Sequence, residues 1–155
     1  MWMQTYTGLQ FYPLAPQPAD VAIEDIAHAL SLICRYGGHV DRFYSVAEHC
    51  VLVSQAVPPE HALHALLHDA TEAYVGDMVR PLKHQPQMSA YVDAEDKVWE
   101  AVCERFQIDP VMPPSVKDAD NRILLTERDE LMRHHGAQHE WEQDGLEPLS
   151  VLVTG

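Results

Sequence analysis

The sequence predicts a compact all-α bundle of five to seven helices, with a short β-hairpin or extended arm at its N-terminus. Apolar side chains recur at three- and four-residue spacing in five separate stretches, and proline and glycine clusters divide those stretches. At 155 residues, 46% of them hydrophobic and 22% charged, the chain is read as one domain, 1–155, long enough to bury a core without disulfides.

Residues 3–14 are rich in Thr and Tyr and broken at Gly8, which suits the hairpin or arm. Pro13, Pro16 and Pro18 then enforce an irregular connector. The first helix is expected over 22–36, where Ile23, Ile26, Ala27, Leu30, Ile33 and Cys34 share a face and Gly37-Gly38 ends the run. Arg35 and Tyr36 sit at its C-terminal end, where side chains can reach into a cleft. Ser45-Val46-Ala47-Glu48 reads as a capping box opening the second helix, whose core stripe is Val46, Cys50, Val53 and Val57. At about 100° per residue, His49 falls on the edge of that apolar arc.

Pro58-Pro59 stops the second helix, and the third runs from Glu60 to about Tyr74. Leu63, Leu66, Leu67, Ala70, Ala73 and Tyr74 form its apolar face. His61, His68, Asp69 and Glu72 form a second stripe, with His64 at the border. Gly76 releases Asp77–Lys83 as a loop. The fourth helix covers 89–107, with Val92, Glu95, Val98, Trp99, Val102 and Phe106 on one face. Pro110, Pro113 and Pro114 lead into the fifth, from Ser115 to about Met132. Val116, Ala119, Ile123, Leu124 and Leu131 set its core direction. Asp120 lies inside that arc, whereas Asp118 and Asp129 lie roughly opposite. Glu127 falls near the arc, free to escape to solvent or to pair with an Arg. Residues 134–155 are less regular, punctuated by His134-His135-Gly136, and Ser150–Thr154 is expected to add a short strand to the N-terminal hairpin.

Composition excludes several classes. Ten Lys and Arg stand against 24 Asp and Glu, a formal charge of −14, which disfavours a nucleic-acid polymer as partner because counterion release needs a basic surface. A nucleotide remains admissible, its phosphates meeting a local cation or metal. No apolar run approaches the ~20 residues that span a bilayer. Cys34, Cys50 and Cys103 are widely spaced and read as reduced thiols of a cytoplasmic protein.

The chemistry concentrates in His64–Asp77. A helix has no structural need of a His and Asp stripe, and an unpaired buried carboxylate is costly. Helices two and three pack antiparallel across the Pro-Pro turn, which brings His49 and His68 to the same end of the pair. With Asp69 and the inward Asp120, two imidazoles and two carboxylates suit Zn, Co or Mn, and Fe as a further fit. Such an ion polarises a phosphoryl oxygen. Residue by residue, blander readings stand beside these: His49 as a satisfied core histidine, Asp120 as a surface cap, Glu72 as the partner of a histidine, Asp77 as a turn acid, Arg35 as a helix C-terminal cation, and Tyr36 and Pro81 as packing.

Ser45-Val-Ala-Glu-His49, His68-Asp-Ala-Thr-Glu72, Gly76-Asp77, Pro81-Leu-Lys83 and Val116-Lys-Asp-Ala-Asp120 together resemble the HD-domain phosphohydrolase superfamily, whose signature is H…HD…D. The resemblance covers nearly the whole chain and is closest to the YfbR-like 5′-deoxynucleotidases and the small phage dATP triphosphohydrolases. It implies an HD-domain helical fold with His49, His68, Asp69 and Asp120 as metal ligands. It implies Glu72 as general acid/base or water positioner, and Asp77 as a helper of substrate or of a second divalent ion such as Mg. Arg35 is implied to contact the nucleotide, Tyr36 and Pro81 to stack on it, and Lys83 to meet phosphate. The expected activity is hydrolysis of a dNTP to deoxynucleoside and triphosphate. The alternatives are release of phosphate from a dNMP and a non-catalytic nucleotide-binding module. The resemblance also implies a homo-oligomer.

Overall fold

A computed structural model describes residues 1–132, 140–141 and 143–155; the His134-His135-Gly136 stretch lies outside them. The chain is mostly helical, as its periodicity predicts, and of the two expectations for the N-terminus, hairpin or extended arm, it forms the hairpin, a two-stranded antiparallel sheet. Strands β1 (Met3–Gln4) and β2 (Gln10–Phe11) precede helices α1 (Ile23–Leu32), α2 (Val46–Gln55), α3 (Ala62–Leu67), α4 (Glu72–Val75), α5 (Arg80–Lys83), α6 (Ser89–Phe106) and α7 (Pro114–Leu131). Contacts sort these into two compact units, Met1–Ile33 with Asp69–Val111, and Cys34–His68 with Met112–Gly155.

In the first unit the hairpin pairs Met3 with Phe11 and Gln4 with Gln10. Gly8 supplies the positive φ of 91° that its turn requires. Asp25 on α1 ties the hairpin down: it is buried and accepts from the Thr7 amide at 2.7 Å and the Thr7 hydroxyl at 2.9 Å. Phe11 stacks on Tyr74 of α4 at 4.0 Å. The inner face of α6 buries Ala94, Val98, Ala101, Val102 and Cys103, and burial pushes the Cys103 thiol up to about 11. Gln107, in the left-handed conformation, ends α6 in place of a glycine, and the Ile108 amide reaches back to the Cys103 carbonyl at 3.0 Å.

In the second unit α2 and α3 form a hairpin across Pro58-Pro59 and pack with α7. Val53, Ala65, Val116, Ala119, Ile123 and Leu149 make one buried cluster, and Tyr44, Leu131 and Val153 another. Every α7 residue expected to face the core does so: Val116, Ala119, Ile123, Leu124 and Leu131 are buried.

The structure corrects several expected boundaries. The first helix ends at Leu32 because Cys34 pairs with Ser45 in an antiparallel bridge and the Arg35 amide bonds the Tyr44 carbonyl at 2.8 Å. Arg35 and Tyr36 therefore open a separate tight turn, Arg35–Gly38, in which Tyr36 takes a φ of 58°. The third helix stops at Leu67. The Ala65 carbonyl is engaged by the His68 ring at 2.5 Å, and the bonds Glu72 amide to Asp69 carbonyl and Tyr74 amide to Thr71 carbonyl tighten the chain to a 3-10 pattern before α4. Leu63 and Leu66, expected on the apolar face, are exposed. The 77–83 loop contains α5, with Pro81 in its first turn. The Ser45 hydroxyl caps the Glu48 amide as expected, at 3.0 Å, but Glu48 turns its carboxylate to the Thr154 amide and hydroxyl, both at 2.8 Å, and the Gly155 amide at 3.0 Å. The 150–154 segment is accordingly not a strand. Its neighbouring backbone is held by side chains: Arg42 donates to the Val153 and Thr154 carbonyls, and Thr126 to that of Leu149.

Candidate metal centre

Three elements of the second unit bring ligand atoms together. The Ser45 cap starts α2 so that His49 lies in its first turns on the buried face, with none of its surface exposed. Antiparallel pairing of α2 and α3 carries His68, at the C-terminal end of α3, to the same level. Asp120, one residue past the buried Ala119 of α7, turns inward, whereas the side chains of Asp118 and Asp129 are 59% and 60% exposed. His49 Nε2 stands 3.2 Å from His68 Nε2 and 3.1 Å from Asp120 Oδ1, and His68 Nε2 is 3.7 Å from that oxygen.

The far side of each ring decides what those atoms are. His68 Nδ1 faces the Ala65 carbonyl oxygen at 2.5 Å. A carbonyl only accepts, so Nδ1 carries the hydrogen and the neutral ring leaves a lone pair on Nε2. His49 Nδ1 faces Glu127 Oε1 at 2.5 Å; a carboxylate only accepts, so Nδ1 carries a hydrogen there too, and Nε2 offers a lone pair once the ring has given up its second proton. With neutral rings, two lone pairs and a carboxylate oxygen converge, an arrangement that repels itself unless a cation sits among them. A metal about 2.0–2.2 Å from each ligand, at tetrahedral or octahedral angles, sets ligand separations of about 2.9–3.5 Å. Two of the three separations fall in that range and the third just beyond it. Asp69, peptide-bonded to His68, adds a further carboxylate: one ligand atom each from His49, His68 and Asp69 lie within 4.8 Å of one another, a group that could hold a metal ion. The donor set therefore fits the hard-to-borderline divalent ions expected from the sequence.

Behind His49 lies a buried carboxylate whose role sequence reasoning missed. Glu127 is fully buried on α7. Its Oε1 accepts from His49 Nδ1 and from the Tyr44 hydroxyl at 2.8 Å, and its Oε2 accepts from the Tyr36 hydroxyl and lies 3.2 Å from Arg35 Nη2. Burial opposes ionisation, but the charges of His49 and Arg35 and the bonds from His49 and Tyr36 outweigh it and bring Glu127 down to about 2. Burial, together with the Glu127 charge, pushes the Tyr36 and Tyr44 hydroxyls up, so both stay protonated donors. At Asp120 burial again opposes ionisation, and bonding to His49 and His68 holds the carboxyl well below the usual range. Burial and Arg35 lower His49, but the Glu127 and Asp120 carboxylates leave its affinity for a proton raised. The Glu127 and Asp120 carboxylates thus make this a site that attracts positive charge.

The other expected site residues have these places. Arg35 stands with its guanidinium 5.0 Å over the Tyr36 ring, and both residues are engaged by Glu127. Glu72 opens α4, and Asp77 follows Gly76, whose φ is 81°. Within the first unit, burial pushes the Tyr91 hydroxyl up to about 12, assisted by the charges of Glu95, Glu72 and Asp77, so these three acids share one neighbourhood. Lys83 in α5 pairs with Glu95, and Pro81 beside it is exposed. Two signals for Glu127 were present in the sequence: its place near the core arc, and its seven-residue separation from Asp120, which puts both acids on one helix face.

No protein-family model matches the sequence. The chain is 45% identical over 130 residues to the uncharacterized protein YfdR of Escherichia coli, an overlap covering 84% of this chain and 72% of that protein. It is 38% identical over 127 residues to the uncharacterized protein RCAP_rcc00048 of Rhodobacter capsulatus, covering 76% of this chain and 64% of that one.

Proposed function

Since the chain belongs to the same family as the Escherichia coli protein YfdR, whose name carries no activity, we propose its function from the site itself: metal-dependent hydrolysis of deoxyribonucleotide phosphoesters. The observation that carries the reading is the convergence of His49 Nε2, His68 Nε2 and Asp120 Oδ1 within 3.1–3.7 Å, both imidazoles turned by partners on their far sides. His49, His68, Asp69 and Asp120 would hold the ion, which when bound polarises a phosphoryl oxygen and makes hydroxide accessible near neutral pH. Zn, Co and Mn suit the donor set, with Fe as a further fit.

The protein's own groups do the rest of the work in this reading. Glu72 manages the proton of the attacking water, and Asp77 assists at the substrate or at a second divalent ion such as Mg. Arg35 and Lys83 supply positive charge for phosphate in a chain of net charge −14, and Tyr36 and Pro81 offer flat surfaces to the nucleoside. The favoured substrate, on resemblance, is a dNTP: water attacks the α-phosphorus, the bond to the 5′ oxygen breaks, and deoxynucleoside and triphosphate leave. Attack on a dNMP would release inorganic phosphate instead.

The test is to purify the protein, measure its metal content, and assay triphosphate and phosphate release from the four dNTPs and four dNMPs with Zn, Co and Mn supplied in turn. Metal-dependent release of either product supports the reading, and the product names the bond. A protein that takes up no divalent metal and is inert on all eight nucleotides refutes it.

A further inference from the structure

We propose that Glu127 is a positioning residue of the metal centre: it aims His49 by holding its Nδ1, so that Nε2 points at His68 and Asp120. The inference rests on the metal reading above and assigns a residue that reading does not use.

Asp120 and Glu127 are two helical turns apart on one face of α7. One helix therefore delivers both the carboxylate beside His49 Nε2, at 3.1 Å, and the carboxylate behind His49 Nδ1, at 2.5 Å. The imidazole is clamped between them, fully buried, so its rotation about χ2 is decided by which nitrogen meets which acid. Glu127 has no solvent to turn to, and both its oxygens are saturated: Tyr44 joins His49 on Oε1, while Tyr36 and Arg35 share Oε2. Those three donors hold the carboxylate in place, and the held carboxylate orients the ring. A carboxylate that served only to neutralise Arg35 would need Oε2 alone, and Oε1 would not have to meet the imidazole at 2.5 Å. Outer partners of this kind fix the tautomer and orientation of a metal-binding histidine, and losing one typically costs about 10–100-fold in metal affinity.

The experiment compares wild type, Glu127→Gln and Tyr44→Phe by chelator competition with Co and Zn, beside thermal melts and 15N NMR of the histidine rings. Glu127→Gln should weaken metal binding about 10–100-fold while the protein remains folded. Tyr44→Phe removes a donor from the same oxygen but leaves the contact with His49. It should lower the melting temperature with metal affinity changed by less than about twofold, against the 10–100-fold of a lost orienting partner. In metal-free wild type at alkaline pH, His49 should carry its hydrogen on Nδ1. Equal metal affinity in wild type and Glu127→Gln overturns the inference and leaves the metal reading standing. Equal losses in both variants also overturn it, because a general packing defect would act that way. A wild type that binds neither ion removes the metal reading and this inference together. Should Glu127→Gln fail to fold with Arg35 left uncompensated, the pair Glu127→Gln with Arg35→Met removes both charges and should still lose metal affinity. The NMR result needs no variant: a His49 protonated on Nε2 with a bare Nδ1 contradicts the assigned geometry directly.

Discussion

Loading the site with a divalent ion should raise the melting temperature, and Asp120→Ala should remove most of that rise. An ion that binds the folded state and is held at 100 times its dissociation constant contributes about 2.7 kcal/mol. For a chain of this size each kcal/mol is worth about 2–4 °C, so wild type should gain about 5–11 °C on addition of Zn, Co or Mn. Asp120 Oδ1 is within 3.1 Å of His49 Nε2 and 3.7 Å of His68 Nε2. Its removal takes away the carboxylate that closes the group. If affinity falls about 100-fold, the same ion concentration equals the new dissociation constant and stabilises by about 0.4 kcal/mol, or about 1–2 °C. The control is Asp118→Ala, two residues away on the same helix but 59% exposed and in a surface pair with Arg122 at 3.6 Å. Such pairs contribute about 0–1 kcal/mol, and this variant should keep the full metal shift. The assay is a thermal melt by circular dichroism with chelator and with each ion in turn. An undiminished shift in Asp120→Ala, or its loss in Asp118→Ala, would refute the ligand assignment.

Other outcomes follow from the same geometry. Without metal, His49 is raised above its ordinary 6.5, so the stability it contributes is fully present below about 6.5 and is lost as pH climbs through the folded value. Asp120 is lowered, so its contribution is present above its ordinary 3.8 and lost as pH falls through the lowered value. Metal binding needs unprotonated rings, so in its presence the melting temperature should instead rise with pH across this upper window; parallel curves with chelator and with Zn would count against the site. Glu72→Ala should retain metal and lose turnover, as read by metal analysis and product release; unchanged turnover removes its proton-transfer role. Arg42→Ala takes three donors from the Glu130, Val153 and Thr154 carbonyls and should cost about 1–3 kcal/mol in urea denaturation, with faster hydrogen exchange over 149–154. Unchanged protection there would show that the buried Leu149 and Val153, with the Thr126 and Glu48 bonds, anchor the segment without Arg42.

The helices of this protein were legible in its sequence because helical periodicity is local. A face of apolar residues at three- and four-residue spacing needs no partner to be recognised, so α6 and α7 lie within a residue or two of where the pattern puts them. The same local geometry separates Asp120 from Asp118 and Asp129, since an inward carboxylate is defined by its own helix wheel. What escaped the sequence was set by contacts that helical periodicity does not record, most of them between groups distant in the chain. The end of the first helix was decided by the pairing of Cys34 with Ser45. The break after Leu67 was decided by the imidazole of His68 taking the Ala65 carbonyl. The 150–154 segment was denied a strand by side chains of Arg42 and Glu48, more than a hundred residues earlier.

Glu127 marks the boundary between the two kinds of information. Its sequence position placed it near the core arc and left open whether it escapes to solvent or pairs with an Arg; the structure gives it Arg35 at 3.2 Å. Only the tertiary structure showed that it meets a histidine, two tyrosines and an arginine at once. A carboxylate's four lone-pair directions can be filled by residues from anywhere in the chain, and no local pattern records which. The sequence by itself therefore determined the helical class, the inward Asp120 and the His-Asp pair. The fold decided how those donors face one another, because distance between side chains on different helices is a property of packing alone.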